Sequence, residues 1–200
     1  MIFELRKRLT LRNKKGEITY DSGDQPSNSF TSQFLGNLQS IAGNVAVPRP
    51  EVKSTTGANF TITDDSHWNS ADYPFSIDND VDNDDWGLLI GDDDSTPEAN
   101  SNFRLDSVIA SGVLAGQVNY GVTGWDAGVT TDGDEAYWSF NRTMTNNSPG
   151  LVEVKEIGAY IRVDNTPLLY CCIMRDIITP SISIPVGQTL TVQYTIKTSV

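Results

Sequence analysis

The sequence predicts a mainly β protein, an antiparallel β-sandwich or barrel of jelly-roll type with one short N-terminal helix. Three observations predict this class. Beyond residue 43 the apolar residues occur in short segments, several of which alternate with polar residues at the period of a strand. Clusters of Gly, Pro, Asn and Asp separate these segments, and the chain has 16 glycines and 9 prolines. No helical segment lies between the predicted strands, which favours antiparallel pairing over a βαβ sheet.

The chain is predicted to begin with a hairpin. Residues 3–12 form its first strand, in which apolar positions alternate with polar ones: Phe3, Leu5, Leu9 and Leu11. Residues 13–16, Asn-Lys-Lys-Gly, are typical of a turn, and a second strand follows at residues 17–20.

One helix is predicted after the hairpin. Ser27 to Ser29 offer side chains that can cap its N-terminus, and Gly43 is a natural stop. The apolar residues between these ends recur at helical spacing and fall on one face: Phe30, Phe34, Leu35, Leu38 and Ile41. An apolar face of this kind is typical of a helix that packs against a core.

The remainder of the chain is predicted as strands. The candidate strands are Phe60–Thr63, Trp86–Ile90, Gln117–Val122, Ala136–Met144, Leu151–Val163, Leu168–Met174, Ile182–Ile184 and Thr189–Thr198. The last strand runs almost to the end of the chain, and an unpaired edge there would promote aggregation. We therefore expect it to be paired within the core sheet.

The predicted organisation is one compact domain. Residues 1–43 supply the hairpin and the helix, residues 44–57 are a candidate hinge, and residues 58–200 form the β-sandwich on which the N-terminal part packs.

Charge is unevenly distributed along the chain, whose formal net charge is −12. Residues 54–103 contain twelve Asp and Glu but no Lys or Arg, whereas the first fifteen residues hold six basic side chains. An acidic protein is repelled by nucleic acid and by anionic membranes, so neither is an expected partner. No run approaches the roughly 18 apolar residues of a membrane span.

The most acidic stretch is residues 78–94, where eight aspartates surround the apolar segment 86–91. Four of them have the every-second-residue spacing of a calcium loop: Asp78, Asp80, Asp82 and Asp84. The EF-hand signature is incomplete, because Asn83 stands at its glycine position and Leu89 at its glutamate position. Two interpretations are open, a calcium site or a buried strand with a solvated acidic loop at each end. Calcium is the only cofactor that the sequence indicates.

The residue types needed for catalysis do not form a recognisable constellation, so we predict that the chain is not an enzyme. A Ser-His-Asp or Cys-His arrangement would have to use His67, the one histidine, which lies in a polar stretch. Cys171 and Cys172 are adjacent, and we interpret them as packing residues because a disulfide between strand neighbours would be strained.

Two further groups have a structural and a functional interpretation. Arg175 and Asp176 are expected to form an ion pair at a strand end, fixing the turn before Pro180, with a catalytic role as the alternative. One aromatic group is expected in the sheet core, with a sugar-stacking platform as the alternative: Trp125, Tyr137, Trp138 and Phe140.

Several motifs, taken in order, resemble those of a family of small β-rich virion structural proteins of tailed bacteriophages. The motifs are Ser29-Phe30, the strand 86–91, Leu105–Ile109, Thr145–Ser148, Val154–Tyr160, Leu168-Leu169 with Arg175-Asp176, and the ending Ile184–Ile196. The sequence departs from the family pattern at residues 91–94, where an acidic segment replaces a small turn. The resemblance spans nearly the whole chain except residues 44–76, and its motifs are turns and strands without chemistry.

The resemblance implies a non-enzymatic component of a virion, as a head decoration or a neck or tail protein. Its partners would be other virion proteins and further copies of itself in a homo-oligomer. The predicted docking residues are the basic side chains of the first strand and its turn: Arg6, Arg8, Arg12, Lys14 and Lys15. The alternative function is a receptor- or carbohydrate-binding module, such as a head fibre or tail-tip adhesin, that binds host-surface glycans and could depend on calcium.

Overall fold

A computed structural model describes residues 2–27, 29–43, 53–59, 76–125, 128–163 and 168–200. These residues form two antiparallel β-sheets and one α-helix, and the buried side chains of both sheets belong to one hydrophobic core. The predicted mainly β class is therefore confirmed. The two sheets remain separate, so the arrangement is a sandwich and not a closed barrel.

The structural elements span residues as follows. In chain order they are β1 (Ile2–Arg12), β2 (Ile18–Asp21), β3 (Gln25–Ser27), α1 (Ser32–Gly43), β4 (Gly87–Gly91), β5 (Asn119–Tyr120), β6 (Gly124–Trp125), β7 (Thr130–Asp132), β8 (Glu135–Thr145), β9 (Val152–Val163), β10 (Leu169–Ile184) and β11 (Thr189–Ser199). The large sheet contains β1–β3, β5–β8 and β11, and the small sheet has the order β10-β9-β4.

The centre of the large sheet is formed by β1, β11 and β8. β11 lies between the other two and pairs with each of them over eleven residues without a register shift. Its alternate residues Leu190, Val192 and Tyr194 are fully buried, because the two-residue period of a strand directs them to the core face. The predicted pairing of the C-terminal strand is confirmed.

Short strands cover the outer edges of this sheet. β2 and β3 pair with β1, while β5, β6 and β7 pair with β8. A strand edge without such partners offers unpaired backbone groups to other chains. Of the strand predicted at residues 117–122, only β5 is formed. β3, β6 and β7 were not predicted, because strands of two or three residues are too short to show a periodic pattern.

β4 is buried along its whole length in the small sheet. Leu88, Leu89 and Ile90 are consecutive apolar residues and are all buried, which shows that β4 is covered on both faces. The strand predicted at residues 86–90 is thus confirmed with a shift of one residue, since Trp86 precedes β4 and is half-buried.

β10 joins two segments that were predicted as separate strands, at residues 168–174 and 182–184. Its pairing with β9 is interrupted between Ile177 and Ile182, and Pro180 lies in this interruption. Proline has no backbone N–H and cannot donate to a ladder, so Pro180 accounts for an interruption of the pairing at this place.

α1 begins later than the sequence predicted. Ser27 belongs to β3, so the expected cap at residues 27–29 is wrong, and Thr31 precedes the helix instead. Thr31 donates its backbone N–H to the carbonyl oxygen of Ile173 and its hydroxyl to that of Cys172, at 3.0 and 2.8 Å. The edge of β10 therefore fixes the point at which the helix can start.

The apolar face of α1 is only partly turned toward the core. Phe34 packs against the core, but Leu35 and Leu38 are 63% and 47% exposed. The buried positions are instead polar, because Gln33 and Asn37 find partners: the Gln33 side-chain oxygen accepts from the backbone of Lys53, and the Asn37 amide donates to the Gln33 carbonyl at 2.7 Å. The expectation of a wholly core-facing apolar stripe is wrong for Leu35 and Leu38.

Several predictions concern residues outside the described ranges. These are the strand at residues 60–63, His67 and most of the candidate hinge, of which residues 53–57 are described and form a turn. No helix in the described ranges is long and apolar enough to cross a bilayer.

Candidate functional site

A charged cluster lies between the two sheets, at the inner face of β1. Lys7 follows the apolar Leu5 and precedes Leu9 on this face, and its Nζ lies 2.6 Å from Oδ1 of Asp176 in β10. Tyr194 of β11 donates its hydroxyl to Oδ2 of Asp176 at 2.5 Å. Burial is the main cause that raises the pKa of the Tyr194 hydroxyl, so the phenol stays protonated as a donor.

A second cluster is centred on Arg175, the neighbour of Asp176 on the opposite face of β10. Its guanidinium contacts Glu156 of β9 at 2.8 Å and Asp106 at 3.0 Å, and it also donates to the Asn102 side chain at 3.1 Å. Arg175 and Asp176 therefore do not pair with each other. The predicted strand-end ion pair is wrong, since the two residues lie inside β10 and adjacent strand residues point to opposite faces.

The two carboxylates beside Arg175 lie in different surroundings. Glu156 is fully buried, and this burial raises its pKa although Arg175 and the backbone N–H of Ser107 favour the charged form. Asp106 lies nearer the surface; burial raises its pKa, but the donors of Thr96 and the charge of Arg175 outweigh it, so the pKa is lowered. Arg175 thus ties a strand of the small sheet to the loop that contains Asp106.

Arg142 forms a third cluster, on the inner face of β8, and it is fully buried. Its guanidinium donates to the backbone carbonyls of Gly121 (2.7 Å), Leu88 (3.0 Å) and Asn83 (2.6 Å), and lies 4.5 Å from the centre of the Tyr120 ring. Burial lowers the Arg142 pKa to about 10, although the nearby Tyr120, Asp84 and Asp82 raise it. Arg142 therefore attaches β4 and residues 78–85, which we call the acidic segment, to the large sheet.

The acidic segment uses its aspartates as hydrogen-bond acceptors. Asp82 accepts from the Ser111 hydroxyl (3.2 Å) and from the Asn119 amide (3.1 Å), and Asp84 accepts from the Ser111 backbone at 2.7 Å. The backbone carbonyls of Asp78 and Asp80 accept from the Trp86 indole and from Arg142.

The described ranges contain no group of three or more His, Cys, Asp or Glu side chains placed to hold a metal ion. The structure therefore does not gather the four aspartates of the calcium hypothesis, which are Asp78, Asp80, Asp82 and Asp84. That hypothesis stays a prediction. Asp82 and Asp84 have a structural use whether or not an ion binds.

Two of the predicted docking residues are already paired within the chain. Arg6 Nε donates to Asp24 at 2.5 Å, and Arg8 makes a two-pronged contact with Asp21. Because Arg6 and Arg8 are paired with aspartates of the same chain, they offer less net positive charge to a partner than the sequence indicated.

The other three predicted docking residues lie at the β1–β2 turn, where all are exposed: Arg12, Lys14 and Lys15. Arg12 donates to the Gly16 carbonyl at 2.9 Å, while Lys14 lies beside Gly187 of the β10–β11 turn. The docking hypothesis stays a prediction, and its basic surface is narrower than the five residues first indicated.

The aromatic group of the sequence analysis is divided between core and surface. Phe140 is buried, whereas Trp125 is 45% exposed and stacks on Trp138 with ring centres 5.2 Å apart. An apolar cavity of about 150 Å³ lies beneath these rings, with Ile161 and Ile173 among its lining residues. Tyr137 lies on the outer face of β8, in a shallow polar depression with Ser139.

Exposed apolar side chains also occur on α1 and near the start of β1. Leu35 and Leu38 project from α1, and Phe3, also exposed, stacks on Phe30 directly before the helix with ring centres 5.8 Å apart. We call Phe3, Leu35 and Leu38 the helix patch. Exposed apolar patches are typical of surfaces that bind another molecule.

Sequence reasoning missed three charged residues of these clusters: Lys7, Arg142 and Glu156. A signal existed for each of them: Lys7 and Arg142 stand at inward positions of alternating strands, and Glu156 begins a continuously buried part of β9, so an apolar residue is the rule at each position. A charged residue at such a position predicts a buried partner, since an unpaired buried charge is very costly. Which partner it finds depends on strands that are distant in sequence.

Comparisons of the chain with protein-family models, with curated proteins and with solved structures found no match.

Proposed function

We propose that the chain is a non-enzymatic structural component of a tailed-phage particle that docks on neighbouring virion proteins and on copies of itself. The observation that carries the proposal is the orientation of α1. The helix buries Gln33 and Asn37, whereas the apolar side chains of Leu35 and Leu38 are exposed. A partner that covers the helix patch would remove these side chains from water.

The rest of the sandwich supports a docking unit with a rigid scaffold. The three charged clusters join strands of different sheets or fasten loops to them, through residues such as Asp176, Arg175 and Arg142. Covered sheet edges also favour docking through side chains instead of strand addition. In the small sheet, both edge strands also have a backbone partner: Ile109 donates its N–H to β4, and Ser29 accepts from the backbone of β10.

The basic turn with Arg12, Lys14 and Lys15 is the second surface of this proposal. It would contact an acidic surface of a neighbour, either another virion protein or the acidic segment of a second copy. Such rim charges mainly set the rate and orientation of association, while the apolar patch supplies the affinity.

The test is the solution mass of the purified protein by light scattering. We expect a defined oligomer that dissociates in Leu35→Glu/Leu38→Glu, because two buried carboxylates would have no partner. The variant protomer should still fold, with the circular dichroism spectrum of the wild type, since both side chains are exposed in the protomer and surface substitutions alter its stability by about 0.5 kcal/mol or less.

A matched control is Val113→Glu/Leu114→Glu, which changes two exposed apolar residues of a loop. We expect this variant to keep the oligomer. A monomeric wild type, or equal masses for wild type and the helix variant, would contradict association between copies through the helix patch.

A second candidate function is a glycan-binding module, and the exposed Trp125 ring favours it. An exposed indole stacked on a second indole, Trp138, offers a flat apolar surface of the kind that sugar rings bind. A saturable glycan affinity that is lost in Trp125→Ala would place this function ahead of docking.

A further inference from the structure

The contact between Lys7 and Asp176 joins the first strand of the chain to β10 across the two sheets. Both groups are withdrawn from solvent, with side chains 13% and 3% exposed. The Lys7 Nζ lies 2.6 Å from Oδ1, so a nucleophilic nitrogen stands next to a carboxyl group inside the sandwich. Fixing two reactants in this way replaces a collision in solution by an intramolecular step.

The other oxygen of Asp176 is held by two hydroxyl donors. Tyr194 donates to Oδ2 at 2.5 Å, and the Ser27 hydroxyl lies within reach of both oxygens, 2.9 Å from Oδ2 and 3.1 Å from Oδ1. Donors placed on one oxygen withdraw electron density from the carboxyl carbon and stabilise negative charge that develops on that oxygen. They act here as the donors of an oxyanion hole do.

The strand register fixes this geometry. Lys7 and Tyr194 are direct partners in the β1–β11 ladder, so the amine and the hydroxyl donor project side by side from the same face of the large sheet. Asp176 approaches them from the small sheet, and Ser27 reaches it from β3. Three strands of the large sheet therefore place groups around a single carboxyl group.

We propose that Lys7 and Asp176 form an intramolecular isopeptide bond. The ammonium first gives a proton to the carboxylate, which leaves an amine and a carboxylic acid. Nζ then attacks Cγ and forms the C–N bond, while charge collects on Oδ2 beside Tyr194 and Ser27. The Cγ–Oδ1 bond breaks, and Oδ1 leaves as water with its own proton and one from the nitrogen.

The reaction is a condensation without change of oxidation state, so it needs no oxidant, cofactor or further reactant. Its only other product is one water molecule. Burial favours the product over the ion pair. Two buried charges lose their hydration, so a fold is often more stable with neutral groups of similar size in their place. The amide is such a neutral group.

The bond would join β1 to β10 covalently, so the two sheets could not separate without breaking it. This property goes beyond the docking function proposed above and does not depend on it, since the bond lies within one protomer.

Intact-mass spectrometry of the purified, folded protein tests the proposal. We expect a mass below the sequence mass by one water molecule, after allowing for the N-terminal methionine. We also expect a branched peptide that joins the Lys7 and Asp176 segments after proteolysis. A folded protein that keeps its full mass after prolonged incubation would overturn the proposal.

Lys7→Arg is the matched control, because it keeps the positive charge but its guanidinium is a poor nucleophile. This variant should have its full mass. A deficit that persists in it would overturn the proposal, since cyclisation of an aspartate elsewhere also loses water but forms no branch. If the variant does not fold, the peptides of the wild type decide: a branched peptide supports the bond and its absence overturns it.

Tyr194→Phe separates a reacting arrangement from mere contact. It removes one donor from Oδ2 and leaves the ring in the core, so the bond should form on the order of a hundredfold more slowly when chains recovered unfolded and at full mass are folded for the first time. An unchanged rate in folded Tyr194→Phe would overturn the assignment of Tyr194.

Discussion

Arg142 and Arg175 are both buried arginines, yet their surroundings are opposite. Arg142, in the large sheet, donates to backbone carbonyls of the segment around Asn83 and Leu88, whereas Arg175, in the small sheet, contacts the carboxylates of Glu156 and Asp106. The first charge satisfies backbone that has no ladder partner. The second pairs with two carboxylates, of which Glu156 is fully buried.

The comparison shows two different uses of the same side chain. Around Arg142 the guanidinium takes the place of a missing strand, because its several donors can serve carbonyls that point in different directions. Around Arg175 the planar fork matches carboxylates, and removal of either side leaves a charge without a partner. We therefore expect loss of Arg175 to cost more than loss of Arg142.

The largest effect is expected for Arg175→Met. The variant leaves Glu156 buried without a cation, which typically costs about 4 kcal/mol of unfolding free energy. Chemical denaturation of wild type and variant measures the difference.

The matched variant is Arg175→Met/Glu156→Gln, which removes the stranded charge and keeps an acceptor for the Ser107 backbone. It should regain at least about 2 kcal/mol. A double variant no more stable than Arg175→Met would refute the idea that the stranded carboxylate causes the loss.

A smaller effect is expected for Arg142→Met. Three backbone carbonyls within 3.0 Å of the guanidinium lose their donor, at about 1 kcal/mol each, so the loss is about 3 kcal/mol. Arg142→Lys should fall between wild type and Arg142→Met, because one ammonium reaches fewer carbonyls.

Hydrogen exchange locates the effect of Arg142→Met. We expect faster exchange in residues 78–91 than in β11. Uniformly faster exchange across both regions would contradict a local fastening by Arg142.

The smallest effect concerns the surface pair of Arg8 and Asp21. The Arg8 side chain and the Gly23 backbone N–H hold the pKa of Asp21 at about 2, below its ordinary value near 4. A lowered carboxyl pKa stabilises the fold above the unfolded value, and this contribution is lost as the pH falls from about 4 toward 2.

Asp21→Asn should therefore lose less stability than wild type between those two pH values, as measured by denaturation at each pH. Asp134→Asn, in an exposed turn, is the control and should follow wild type. Equal pH slopes for wild type and Asp21→Asn would contradict a stabilising pair at this site.

Part of the candidate site could be predicted from local pattern. The exposed basic turn and the buried strand at residues 86–90 follow from charge and from consecutive apolar residues. The orientation of α1 could not be predicted, because the apolar stripe says which residues share a face but not which face the sheets accept. The donor to the buried Gln33 side chain is the backbone of Lys53, which is distant in sequence.

The sequence by itself determined the mainly β class, the long strands with their inner faces and the separation of charge along the chain. These properties depend on neighbouring residues, since the period of a strand and the chemistry of a turn are local. The tertiary structure alone decided that Lys7 meets Asp176, that Arg175 meets Glu156 and that Arg142 serves backbone carbonyls. Those contacts depend on the register and stacking of strands far apart in sequence, which the whole core selects at once.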